Sequence, residues 1–126
     1  MTIIGIFLDD ERTPSDVTWV LYPSPVSWQV VNNAADFFEA VKRMGDAVTD
    51  CEFSFDHDIQ SYTPSGNELT GYDCVKFLVD YCMDNQYPLP ANVHFHTQNP
   101  VGKENMKRYY ENAYWHTRHH TTLVKE

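Results

Sequence analysis

Three short polar clusters carry whatever chemistry this 126-residue chain performs, and each follows directly on a strand-like run. "IIGIFL" breaks into Asp9-Asp10, "CEFSF" into Asp56-His57-Asp58, and "NVHF" into His96-Thr97-Gln98-Asn99. Adjacent carboxylates repel one another unless a cation lies between them, and ligands that are all oxygen suit Mg2+ or Mn2+. An imidazole, with an unperturbed pKa near ~6.5, can hold or release a proton at neutral pH. Acids, imidazoles and a hydroxyl therefore stand where three strands would end.

The elements that must bring them together follow from periodicity and capping. "IIGIFL" is a continuous apolar run, the pattern of a strand buried on both faces of a parallel sheet. "SWQVV", "CEFSFD" and "NVHFHT" are further strands. "NNAADFFEAVKRMG" is a helix with Asn33 as cap, Asp36 at the third position and Gly45 as stop. "TGYDCVKFLVDYCMDN" opens with a Thr70/Asp73 capping box. "QNPVGKENMKRYYENAYWH" begins with Asn99 as cap and Pro100 at the first helical position. Residues 13–25 are too rich in Pro and aromatics for a helix, leaving a loop or an edge strand. Strands alternating with helices imply a parallel sheet with right-handed crossovers, whose ligands bind at the carboxyl ends of the strands. All three polar clusters fall on that rim. The last helix would add an anion site there, through its first N–H groups at Val101, Gly102 and Lys103, with Gly102 admitting a phosphate close to the backbone.

Composition bounds the partners. One domain spans 1–126, with 116–126 as a loosely ordered tail bearing His116, His119 and His120. No apolar run reaches the ~18 residues of a membrane span, and "MTIIGIFLDD" reads as a first strand rather than a signal peptide. Three cysteines leave one unpaired in any disulfide scheme, which favours a reducing, cytoplasmic compartment. Cys74 and Cys82 share a helix face with Leu78 and read as core. A net charge of −9 argues against duplex DNA, which is bound by replacing counterions with Lys and Arg. A small phosphorylated nucleotide or an RNA end remains compatible, because a bound cation reverses the field locally.

An acidic pair after the first strand, an Asp after the third and a Thr after the fourth resemble the receiver domain, and Asp9, Asp10, Asp56 and Thr97 occupy those places. The late strand that bears the receiver's lysine has no counterpart here. "LDDERTP", "SFDHDI", "TGYD" and "HTQNPVGKENM" together resemble a narrower group, the cyclic-phosphate-processing receiver-like domains of bacteria and phages, from Ile4 to about Met106. The host cytoplasm would be the compartment of a phage-encoded member. The resemblance implies an α/β fold: a three-layer receiver-like (flavodoxin-like) parallel sheet, reduced to about four or five strands with flanking helices. It also implies an acidic site of Asp9, Asp10, Asp56 and Asp58, with His57, His96, Thr97 and Asn99 as polar members. Where that family has Gly soon after the Asp-His-Asp triplet, this chain has Gln60 and a longer loop to Gly66.

The expected activity is metal-assisted attack on a phosphodiester. Asp9, Asp10 and Asp56 hold Mg2+ or Mn2+, His57 or His96 protonates the leaving oxygen, and Lys103 with the helix amides stabilises the added charge. Two alternatives belong to other classes: a phosphoacceptor receiver modified at Asp56, and a binder that sequesters a phosphorylated nucleotide. The His57-Asp58 pair leaves a strand, unlike the helical pair of HD-type phosphohydrolases. The His120-to-Thr122 pattern of two-histidine phosphoesterases lacks its second copy.

Overall fold

The computed structural model describes the backbone of residues 2–125 and the side chains of residues 2–117. Its strands are β1 (Ile3–Leu8), β2 (Val26–Val31), β3 (Glu52–Phe55), β4 (Ser61–Tyr62), β5 (Glu68–Leu69) and β6 (Val93–Phe95); its helices are α1 (Ala34–Met44), α2 (Gly71–Asp84) and α3 (Pro100–Lys125). Four strands form one parallel sheet in the order β2-β1-β3-β6. This is the expected receiver-like sheet with flanking helices. The polar loop after β3 folds on itself as the small antiparallel hairpin β4-β5, which the alternation of the sequence does not announce.

Strand order decides which face each connection covers. The chain steps one way from β1 to β2 and the other way from β2 to β3 and β6. Right-handed crossovers then put α1 and α2 on one face and residues 13–25 on the other. One apolar core accordingly joins Ile6, Leu8, Phe53 and Phe55 to Phe37 of α1, Leu78 of α2 and Met106 of α3. Side chains of this size are worth about 1.5–3 kcal/mol each when fully buried. Cys74 and Cys82 lie in the same core as free thiols. On the second face Phe7 and Trp28 meet edge to face, and Tyr22 of the irregular segment covers Trp28 and His94 in the same way. That layer is a 3-10 turn at Pro14–Asp16 and loop, with no edge strand.

The caps are those the sequence specifies. Asp36 N donates to Asn33 Oδ1 at the start of α1, Gly45 ends that helix at a φ of 57°, and the Thr70/Asp73 capping box opens α2. The third helix runs on past His116 to Lys125; the side chains of His119, His120 and Thr122 lie outside the described residues. Among the described residues no helix is long and apolar enough to cross a membrane.

Gly71 sets how closely α2 approaches the sheet. Its N–H donates to His57 O at 2.8 Å, and a Cβ built there would lie 1.8 Å from the backbone oxygen of Asp56. Backbone cannot yield as a side-chain tip can. Gly71→Ala is therefore expected to destabilise the fold by about 1–3 kcal/mol, read as a lower denaturation midpoint with an unchanged slope.

Candidate active site at the carboxyl ends of the strands

Register places the polar clusters side by side. Leu8 pairs with Val31 and Phe55, and Phe55 with Phe95, so Asp9, Asp56 and His96 are the next residue on three adjacent strands. The ladder continues through them: Asp56 N donates to Leu8 O at 2.9 Å and His96 N to Phe55 O at 3.1 Å. β1 and β3 flank the point where the chain reverses its direction across the sheet, the position at which open α/β sheets bind ligands.

Asp9 is buried. Its Oδ1 accepts the backbone N–H groups of Glu11 and Arg12, both at 2.8 Å, and its Oδ2 accepts from His96 Nε2 at 2.9 Å and Arg12 Nη1 at 3.4 Å. Burial alone raises its pKa, but the bonds from His96 and the two amides outweigh it and hold the carboxyl below the usual range. Asp56 goes the other way. Burial and then the charge of Asp9 raise it, against the His57 N–H at 2.8 Å and the Thr97 hydroxyl. Asp10 is raised mainly by burial, with Glu11 and Asp9 adding repulsion.

One oxygen from each of Asp9, Asp10 and Asp56 lies within 4.8 Å of the others. Three hard oxygen donors, two of them resisting ionisation, fit Mg2+ or Mn2+, which would relieve their mutual repulsion. Asp58 does not join this group. Its Oδ1 sits 2.9 Å from His57 Nδ1, and its Oδ2 accepts from Asn99 Nδ2 at 3.1 Å. The bond to His57, followed by that to Asn99, keeps this exposed carboxyl below its ordinary value.

These groups open onto a pocket of about 370 Å3 lined by Asp10, Glu11, Arg12, Asp56, Asp58, Gln60, Thr97, Gln98 and Asn99. Gln60 takes a φ of 49°, the left-handed conformation a glycine would adopt most easily. Asp9 lies beneath the pocket and not in its wall.

Several expected residues are placed elsewhere. His96 is fully buried, with Nδ1 at 2.7 Å from Ser54 Oγ and Nε2 on Asp9, so neither nitrogen reaches the pocket. The His57 ring packs on the start of α3, where a Cβ on Gly102 would come within 2.4 Å of it. Gly102 therefore makes room for an imidazole, not for a phosphate. The amides expected to be free are largely taken: Gly102 N donates to Asn99 Oδ1 at 3.0 Å and Lys103 N to Asn99 O at 2.8 Å. Val101 and Lys103 are exposed and outside the pocket wall. The cap that makes α3 start cleanly also consumes the donors of its first turn.

Arg12 is the pocket residue that reading the sequence misses. Among the described residues it is the only cationic side chain lining the pocket. It spans from Asp9 to Gln98 Oε1 at 3.3 Å, with its guanidinium 5.5 Å from the Trp19 ring centre. The signal was present in "DDER", two positions beyond the acidic pair.

A four-strand parallel sheet with an acidic cluster at its switch point defines a receiver-like α/β domain. Residues 4–112 match the Cyclic-phosphate processing Receiver domain, and the chain belongs to that family. No curated protein and no solved structure matches it.

Proposed function

We propose that the chain is a metal-dependent phosphoesterase acting on a cyclic or terminal phosphate of a small nucleotide or an RNA end. The observation that carries this reading is the convergence of Asp9, Asp10 and Asp56 beside a pocket that also holds Arg12. Four carboxyl groups line that pocket against one guanidinium, and a phosphate would be repelled from it without a cation. Mg2+ or Mn2+ held by Asp9, Asp10 and Asp56 would supply charge neutralisation and a bound water of lowered pKa.

The remaining roles fall to side chains in the wall. Arg12 binds the phosphoryl oxygens, while Thr97 holds Asp56 through its hydroxyl and Asn99 holds Asp58 through Nδ2. Asp58, kept ionised by His57 and Asn99, suits a general base better than an acid. Water adds to phosphorus and its proton passes to Asp58. One ester P–O bond breaks, and the departing oxygen takes a proton from the open, solvent-facing side. His57 acts through Asp58, in place of the direct proton transfer expected of it.

Arg12→Met should weaken binding of a nucleotide monophosphate about 10–100-fold, the cost of one hydrogen-bonded charge pair. Titration calorimetry with Mn2+ present measures this.

One observation favours a second reading: neither His57 nor His96 lines the pocket. A protein that sequesters a phosphorylated nucleotide needs no proton donor beside it. Phosphorus NMR separates the two. Hydrolysis turns the resonance of a 2′,3′-cyclic nucleotide into that of a phosphomonoester in the presence of Mn2+, and chelator stops it. A cyclic nucleotide that is bound yet intact after hours would establish the sequestering protein instead.

A further inference from the structure

We infer that Tyr22, Ser54 and His96 form a one-directional hydrogen-bond relay that positions Asp9, so that the irregular segment on the second face of the sheet sets the geometry of the acidic cluster. The relay rests on the metal-binding reading above only for its consequence, not for its existence.

The contacts form an unbroken line. Tyr22 Oη lies 2.6 Å from Ser54 Oγ, Ser54 Oγ 2.7 Å from His96 Nδ1, and His96 Nε2 2.9 Å from Asp9 Oδ2. With a neutral imidazole, proton counting fixes their direction. An ionised carboxylate only accepts, so Nε2 carries the hydrogen. A neutral ring then has a bare Nδ1, which takes the Ser54 proton. Ser54 has no second proton, so Tyr22 must donate to it.

The ring is also held against rotation. Phe7 stacks on it at 4.4 Å with planes 5° apart, and Trp19 Nε1 donates to His96 O at 2.8 Å. Both tethers to His96, Tyr22 and Trp19, come from residues 13–25. A serine, a histidine and an aspartate in line evoke a nucleophilic triad, but Ser54 is 1% exposed and no substrate reaches it. His96 is therefore a positioning residue.

The test uses two variants and two readouts. Long-range proton–nitrogen NMR on the metal-free protein should show His96 with Nε2 protonated and Nδ1 bare. Tyr22→Phe, a change at a partly exposed residue, should move the Nδ1 resonance. Ser54→Ala should weaken Mn2+ binding about 10-fold, as loss of a group that orients a metal ligand does. A protonated Nδ1, an Nδ1 resonance indifferent to Tyr22→Phe, or wild-type Mn2+ affinity in Ser54→Ala would each overturn the relay. Wild-type protein that takes up no Mn2+ would refute the metal reading instead, and the NMR measurements would still decide the relay.

Discussion

Asp58→Asn is expected to lower turnover of a 2′,3′-cyclic nucleotide by about 10²–10⁴-fold, the range for loss of a positioned proton-transfer group. The amide keeps the shape of the side chain and one acceptor oxygen, so the pocket should still form. It cannot take a proton from water. Asp58 stands outside the group of Asp9, Asp10 and Asp56, so Mn2+ affinity should stay within a few-fold of wild type. An equal loss in kcat and kcat/KM with unchanged metal binding would mark an interaction made in the transition state. His57→Gln should give a smaller loss, because Asn99 still holds the carboxylate. The pH profile adds a sign. A base whose pKa is lowered by its partners remains ionised further into acid, so the acid limb of the wild-type profile should lie below the usual carboxylate range, near ~3.9, and move upward in His57→Gln.

Asp56→Asn should have opposite effects with and without metal. In the metal-free protein Asp56 is raised by burial and by the charge of Asp9, so its ionised form opposes folding. The stability it allows is fully present below the unfolded pKa near ~3.9 and is lost as pH rises through the raised folded value. The variant, which never ionises, should therefore melt higher than wild type at neutral pH, with the difference closing in acid. Adding Mn2+ reverses the order. Binding to the native state alone stabilises by about 2.7 kcal/mol at a hundred times the dissociation constant, and the variant should gain little because one of three ligands is gone. Thermal melts at neutral and acid pH, each with Mn2+ or chelator, measure all four states. A variant that is less stable than wild type without metal would contradict the repulsion; one that gains as much from Mn2+ would contradict the ligand assignment.

The legible parts of this molecule are those written in local sequence. Asn33, Thr70 and Asn99 act on amides two or three residues ahead, and the strand ends are marked by an abrupt change from apolar to acidic side chains. The carboxylates that converge could be foreseen because parallel strands share a rim. What lay hidden depends on contacts between distant residues. Arg12 reaches Gln98 across 86 positions and Ser54 reaches His96 across 42, and neither pairing has a periodic signature. Histidine as a residue type suggests a catalytic place for His57 and His96. Contacts between distant residues place them: His96 is buried between Ser54 and Asp9, and the His57 ring packs against Gly102 at the start of α3. Gly102 carries the same lesson: glycine before a helix turn suggests an anion, whereas the space belongs to a ring.

The most direct test of the central claim is a crystal of the protein soaked with Mn2+ and a nucleotide monophosphate, with the metal located by its anomalous signal. The account predicts a single strong peak bounded by Asp9, Asp10 and Asp56, with the phosphate between that peak and Arg12. Manganese at Asp58 and His57, or a phosphate seated on Lys103 away from Arg12, would contradict it.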